Sequence, residues 1–427
     1  MSQGSIIGYD INSKYCQISI FNKETGEPET LESGKDTFQI PLVLNYYKDT
    51  WTYGRHAKRM SSVRGSVTIE DVLEKALKKE IIHVEEDVYD AVHLLDEFVK
   101  QTLQSQEKIE SITFSVPEMS EDVRVLLKGI GQHLGVPKDN IYVQDYKESF
   151  CHYMFNQPKE LWQYEAALFY CDDTVIRAYM LRELKTMQKK AVENFVTVDK
   201  VADAEVAELK CVYPVLDIGE AKAADEQFKC FIESVFDKKR VSSVFLTGEG
   251  FENNWYPNSL RVLCNGRRTF MGNNLYSKGA CYTAVRRLDE QMDSLVYLDE
   301  TKMTEQISLR MRVDGEEGWH PIVPWGSHWY ESDKQYELLM DEKQDIEIRV
   351  DSLSTGKRTI EVVSMEGVPE RKNYSLRLRV SIRFEDEKTC HLLFEDIGFG
   401  EFYPATDFKV DKVIELGGSN GQFNSLS

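Results

Sequence analysis

Ile6-Ile7-Gly8-Tyr9-Asp10-Ile11-Asn12-Ser13-Lys14 is an apolar run that breaks into small and polar residues. A run of this length reads as a buried strand, and the break as a tight turn at its end. The same grammar returns in order along the chain. Ile112-Thr113-Phe114-Ser115-Val116-Pro117 is the second case, with Val143-Gln144-Asp145-Tyr146 close behind. Ala167-Leu168-Phe169-Tyr170-Cys171-Asp172-Asp173-Thr174 is the third, and Val244-Phe245-Leu246-Thr247-Gly248-Glu249-Gly250 the fourth. Turns at the strand ends of a buried sheet are where nucleotides bind, so the order of the four says more than any one of them.

Outward from these segments the hydrophobic period changes. Residues 6–20 alternate as strands, a turn at Asn22 to Gly26 leads into another, and Tyr46 to Gly54 reads as a hairpin end. From about residue 69 to 103 the spacing is helical, with Val88, Val92, Leu95, Val99 and Leu103 on one apolar face. Ser120 opens a helix carrying Val123, Leu126, Leu127, Ile130 and Leu134, stopped by Gly135 and Pro137. Residues 223–237 form a further helix feeding a strand at 241–246, and Gly279-Ala280 opens or sits within one more, ending near Gln291. Strands alternating with helices predict a layered α/β domain over residues 1–293.

Beyond residue 300 the period becomes two. Residues 307–313, 346–350 and 374–384 alternate strictly, which means one dry and one wet face per strand. Residues 301–416 therefore read as an all-β module, a sandwich. An apolar stretch within 294–300 joins the two parts as an interdomain linker, and the Gly/Ser/Asn-rich tail 417–427 reads as frayed.

Composition narrows the function classes. The 427 residues carry a formal net charge of −20 and are 41% hydrophobic. Cores of real size follow, while an acidic surface repels nucleic-acid phosphates and anionic lipid, so neither nucleic acid nor membrane is expected as a partner. Eight cysteines stand singly with no CxxC pair, which denies zinc a ligand framework. With no signal segment and no run long enough to span a bilayer, a cytoplasmic protein is expected.

The ordered segments resemble the actin-like ATPase superfamily and, within it, the DnaK-type heat-shock chaperones. Gly8 to Lys14 is similar to the family's first phosphate turn, and Tyr53-Gly54-Arg55-His56-Ala57-Lys58 to its Gly-x-x-Ala-Lys segment. Ile112 to Pro117 resembles its Ile-Thr-Val-Pro strand, and Val143 to Tyr146 falls where the family has Ile-Asn-Glu-Pro. Phe245 to Gly250 is similar to the adenosine-binding Gly-Gly turn, Asn273 to Ala280 to the helix beside it, Leu295 to Asp299 to the apolar linker, and 305–410 to the substrate domain. The family's C-terminal helical lid has no counterpart. The resemblance implies an actin-like two-lobed ATPase domain followed by an all-β sandwich. It further implies ATP or ADP with Mg²⁺ in the first, and an apolar peptide or protein client in the second, with a cochaperone as a further partner.

Phosphoryl transfer to water needs phosphate donors, a divalent cation and a group that orients the water. On the resemblance, Asp10 holds hydrated magnesium and Asp145 orients the water. Read as residues alone, Asp10 is equally a turn former and Asp145 a helix cap. Asn12, Ser13, Lys14 and Thr174 would contact phosphate, and Gly248, Glu249 and Gly250 would pass the backbone against adenosine; the alternative for the last three is a plain strand-to-helix turn.

Departures from the pattern matter as much. The second phosphate turn should be glycine-rich, so that backbone N–H groups form a nest, yet Asp172 and Asp173 put negative charge there. They read as a direct metal site, an eroded phosphate site or an ordinary hairpin tip. Asn12 and Glu249 each replace a glycine, and the catalytic lysine has three candidates, Lys14, Lys58 and Lys75, none in the family's context. The aromatic stretch from Gly318 to Tyr330 reads as peptide grip or sandwich core. Three functions stay open: a nucleotide-responsive chaperone with slow ATPase activity, a pseudo-ATPase scaffold that has lost nucleotide chemistry, and a small-molecule kinase on the same superfold.

Overall fold

The structure, a computed structural model, describes residues 4–34, 37–172, 175–184, 194–206, 218–272, 274–288, 295–340, 344–353, 355–371 and 374–417. The chain is mixed α/β with more strand than helix. It divides into two compact units, residues 1–182 with 198–292, and residues 183–197 with 293–427.

The first unit holds two sheets of one plan. In chain order the main strands of the first are Ser5–Ile11, Tyr15–Asn22, Glu27–Thr30, Ile109–Val116 and Ile141–Asp145. Those of the second are Glu165–Asp172, Val175–Glu183, Asn194–Glu205 (from residue 198 on in this unit), Val241–Thr247 and Arg268–Met271. Both run in space as fifth, fourth, first, second, third. In both, the first strand is antiparallel to the second and parallel to the fourth. A parallel partner cannot be reached by a tight turn and needs a long crossover. Helix Ala91–Thr102 lies in the first crossover and helix Ile218–Val235 in the second. The first strand of each sheet is central and covered on both faces, which is why it is mostly apolar and buried almost end to end.

A helix follows the fifth strand in each half: Tyr146–Phe155 and Leu275–Leu288. The two cross at Gly279. A Cβ there would stand 1.9 Å from the carbonyl oxygen of Ser149, so only glycine lets the backbones approach this closely. This crossing sets the two helix N-termini, and hence Tyr146 and Tyr276, side by side.

Several local expectations meet a different outcome. Ser120 does cap helix Glu121–His133, accepting the N–H of Val123 at 3.3 Å. The helical spacing over 69–103, however, spans two helices, Val72–Leu77 and Ala91–Thr102, split by the hairpin Ile81–Val84/Asp87–Asp90. Val88 lies in that hairpin and is exposed, and the buried face of the second helix is Leu94, Leu95, Phe98 and Val99. Asp90 ends the period: its carboxylate accepts the N–H of Val92 at 2.9 Å and starts the helix there.

The second unit contains two four-stranded antiparallel sheets. One runs Glu316–Val323, Glu305–Val313, Ile346–Ser352, Arg358–Val363, and the other Lys334–Met340, Leu376–Asp386, Thr389–Asp396, Lys409–Glu415. Their dry faces share one core that includes Ile307, Leu309, Ile348, Leu378, Val380 and Phe394. Leu376, Leu378, Val380 and Ile382 are buried while the residues between them are not, the period-two pattern in its simplest form.

Residues 295–298, expected as a linker, form a strand of this unit instead. It pairs in parallel with Asn194–Thr197 and buries Leu298 against Phe195 and Leu353. Part of the aromatic stretch is engaged in packing: Trp325 meets the Phe195 ring edge-on at 5.7 Å and donates to the Asp351 carbonyl at 3.2 Å, and Trp329 packs on the core. His328 is held by Thr301 and Tyr330. Residues 418–427 of the expected frayed tail lie outside the described residues. No helix among the described residues is long and apolar enough to cross a membrane.

Candidate functional site

Asp10 is the penultimate residue of the central strand Ser5–Ile11 and has no accessible surface. Tyr146 donates its hydroxyl to Asp10 Oδ1 at 2.8 Å, and Oδ2 has no hydrogen-bond partner among the described residues. Burial pushes the Asp10 carboxyl up to about 8, against the smaller opposing effect of the Tyr146 bond. At neutral pH this side chain is therefore mainly an uncharged acid. Asn12, two residues on, spends its side-chain oxygen on the turn, accepting the N–H groups of Lys14 and Tyr15 at 2.9 Å each. Ser13 sits at the tip. Lys14 Nζ reaches Glu249 Oε2 at 3.1 Å, joining the first turn to the Gly248–Gly250 turn.

The second sheet brings Tyr170 and Asp172 to the same region. Asp172 ends its strand in an ion pair with Arg177 on the antiparallel neighbour, 2.5 Å away. Asp173 and Thr174, the rest of the expected second phosphate turn, lie outside the described residues. Gly248 has φ +100°, and a Cβ on it would stand 2.1 Å from the Cys171 carbonyl oxygen. At Gly250 a Cβ would stand 2.3 Å from Cys171 Sγ. The turn's own acceptors are also engaged: Trp255 donates to the Gly250 carbonyl at 2.7 Å and Tyr256 to that of Phe251 at 3.1 Å. These glycines make room for the end of strand Glu165–Asp172.

Asp145 caps helix Tyr146–Phe155 by accepting the Glu148 N–H at 2.9 Å, and lies 3.5 Å from Lys147 Nζ. The helices then place their first rings together. Tyr146 and Tyr276 stack with centroids 3.7 Å apart and planes 6° from parallel, and Tyr170 meets both edge-on at 5.6 and 6.2 Å. Thr247 hydrogen-bonds the Tyr276 hydroxyl at 2.8 Å. All three tyrosines are buried. Beside them lies a cavity of about 400 Å³, and a second of about 620 Å³ lies on the far side of Ser13, bordered by Lys14, Arg55, Lys58, Arg59 and Glu249.

Residues 27–300 match the C-terminal part of a family of unknown function, DUF5716, and residues 302–416 match a domain of unknown function, DUF8552. The chain belongs to the DUF5716 family. No curated protein matches it.

In this DUF5716 chain the residues at the turns do not fit magnesium triphosphate. A hard cation needs carboxylate oxygens it can reach, and Asp10 has no accessible surface and is hydrogen-bonded by Tyr146. Phosphate needs N–H nests and positive charge, whereas the two turns present Glu249 and Asp172, each already paired with a cation. Among the described residues no group of three or more His, Cys, Asp or Glu is placed to hold a metal. The structure thus brings Asp10, Asn12, Ser13, Lys14, Glu249 and Asp145 into one region but gives Asp145 a capping role, Asn12 a turn-closing role and Gly248 and Gly250 a packing role. Sequence reasoning overlooked the three tyrosines. Tyr146 stands at the proline of the Ile-Asn-Glu-Pro pattern and Tyr170 at the start of the glycine-rich turn, so a large ring in place of a compact residue was the available signal.

Proposed function

We propose that this chain is a nucleotide-independent binding scaffold, an actin-like α/β unit whose phosphate cleft has been closed by aromatic side chains, coupled to an all-β module that takes an apolar protein partner. Two α/β halves of one strand order, with helices crossing at Gly279, support the two-lobed reading. The observation that carries the loss of nucleotide chemistry is the Tyr146–Tyr276 stack, capped by Tyr170, lying over a neutral Asp10. Rings at that spacing leave no room for a phosphate chain between them. For the partner, the edge strand Arg358–Val363 exposes Ile360 and Val362, and an open edge with apolar side chains is a surface that another strand can extend.

Titration calorimetry with ATP and Mg²⁺ is expected to give no binding heat, and a thermal melt no shift. A ligand at a hundred times its Kd would stabilise its fold by about 2.7 kcal/mol, well within reach of a melt. Saturable heat with ADP or ATP would instead restore the slow-ATPase reading.

A further inference from the structure

The 400 Å³ cavity is of a size that takes a small molecule. Its chemistry is unlike that of a phosphate site. Tyr146, Tyr170, Tyr179 and Tyr276 supply rings, and Glu74, Glu118 and Asp172 supply carboxylates. The single cation among the described lining residues is Arg177, already bound to Asp172 at 2.5 Å. Glu74 and Glu118 have no ion-pair partner among the described residues, and Glu74 Oε2 is buried with nothing to accept from. With Arg177 spent on Asp172, Glu74 and Glu118 leave the lining itself with a negative balance. Arg177 already shows the preferred contact: its guanidinium lies over the Tyr170 ring, 6.0 Å from the centroid.

We propose that this cavity binds a small organic cation, an amine or quaternary ammonium, held by Glu74 and Glu118 and by the faces of the tyrosines. An ammonium group is attracted to the negative face of an aromatic ring, and more strongly when partly desolvated. A carboxylate partner adds a charge-assisted hydrogen bond where the cation carries an N–H. The same carboxylates repel phosphate, so the site selects by charge sign before shape. The inference rests on the cavity's own lining and not on the actin-like reading; ATP failing to bind and an amine failing to bind are separate results.

The experiment titrates the full chain with choline and with butylamine, and with two controls: 3,3-dimethylbutan-1-ol, the uncharged isostere of choline, and inorganic phosphate. Both cations are expected to saturate one site, with the isostere at least tenfold weaker and phosphate silent. Glu118→Gln and Glu74→Gln should each weaken the cations by about tenfold, and Tyr179→Leu by a similar factor. Glu118 is exposed, so its variant is expected to melt with the parent and report on binding alone. If neither cation binds more tightly than the neutral isostere, the proposal is overturned. It is equally overturned if all three substitutions leave the affinity unchanged.

Discussion

Asp10→Asn should flatten the fall in stability between about pH 4 and pH 8, so that over this span the variant gains about 5 kcal/mol on the parent. In the unfolded chain the Asp10 carboxyl loses its proton near its ordinary value of 3.8, whereas burial in the native sheet holds the proton until about pH 8. Between those values the native state binds more protons than the unfolded one, so stability is fully present below pH 4 and drains away as pH rises through 8. Asparagine keeps the acceptor for the Tyr146 hydroxyl and carries nothing to ionise. Other titrating groups cancel in the difference between variant and parent. Urea denaturation of the first unit's transition at about pH 4, 6 and 8 measures that difference, and parallel curves for the two proteins would refute the sealed acid. The same burial bears on function: a carboxyl with no accessible surface and bonded by Tyr146 cannot serve as a magnesium ligand without first unpacking the tyrosines beside it.

How far the sequence could be read depended on whether the deciding partner was near or far along the chain. The central strands were legible because a strand covered on both faces is mostly apolar, as Ile6 to Ile11 (Asp10 apart) and Ala166 to Cys171 are. The strands of the second unit were legible because one wet face imposes alternation. The hairpin between Ile81 and Asp90 was hidden because its outward residues, Ile81 and Val88 among them, happen to continue a helical spacing into the next element. Site residues are harder, because one residue type serves several ends. Asp145 caps a helix and Asn12 closes a turn, and both uses are local and were within reach. The fate of Lys14 is decided 235 positions away by Glu249, and that of Gly248 by Cys171, which no period or spacing displays. The tyrosine stack is the extreme case: Tyr146 and Tyr276 meet only because two helices cross at a glycine.

Gly248→Ala should cost about 3–5 kcal/mol, and no change at the Cys171 side chain should rescue it. Two costs add at this position. The left-handed φ of +100° strains any residue with a Cβ, and that Cβ would be forced to 2.1 Å from a backbone oxygen, which can retreat only if strand Glu165–Asp172 shifts. Gly250→Ala makes the contrast, since its nearest obstacle is Cys171 Sγ at 2.3 Å, with Cys171 Cβ and O following at 3.1 and 3.2 Å. Cys171→Ala removes the sulfur and leaves only tight contacts. A double-mutant cycle should therefore show a coupling of about 1–3 kcal/mol between positions 250 and 171, and close to none between 248 and 171. The comparison separates two reasons for keeping glycine. Were the turn open so that a nucleoside could lie on it, Gly250→Ala would leave the unliganded fold at parental stability and show no coupling to Cys171. If Cys171 and the turn are packed as one piece, the coupling appears without any ligand present, and the turn's resemblance to an adenosine site is a likeness of backbone shape with the binding surface turned inward.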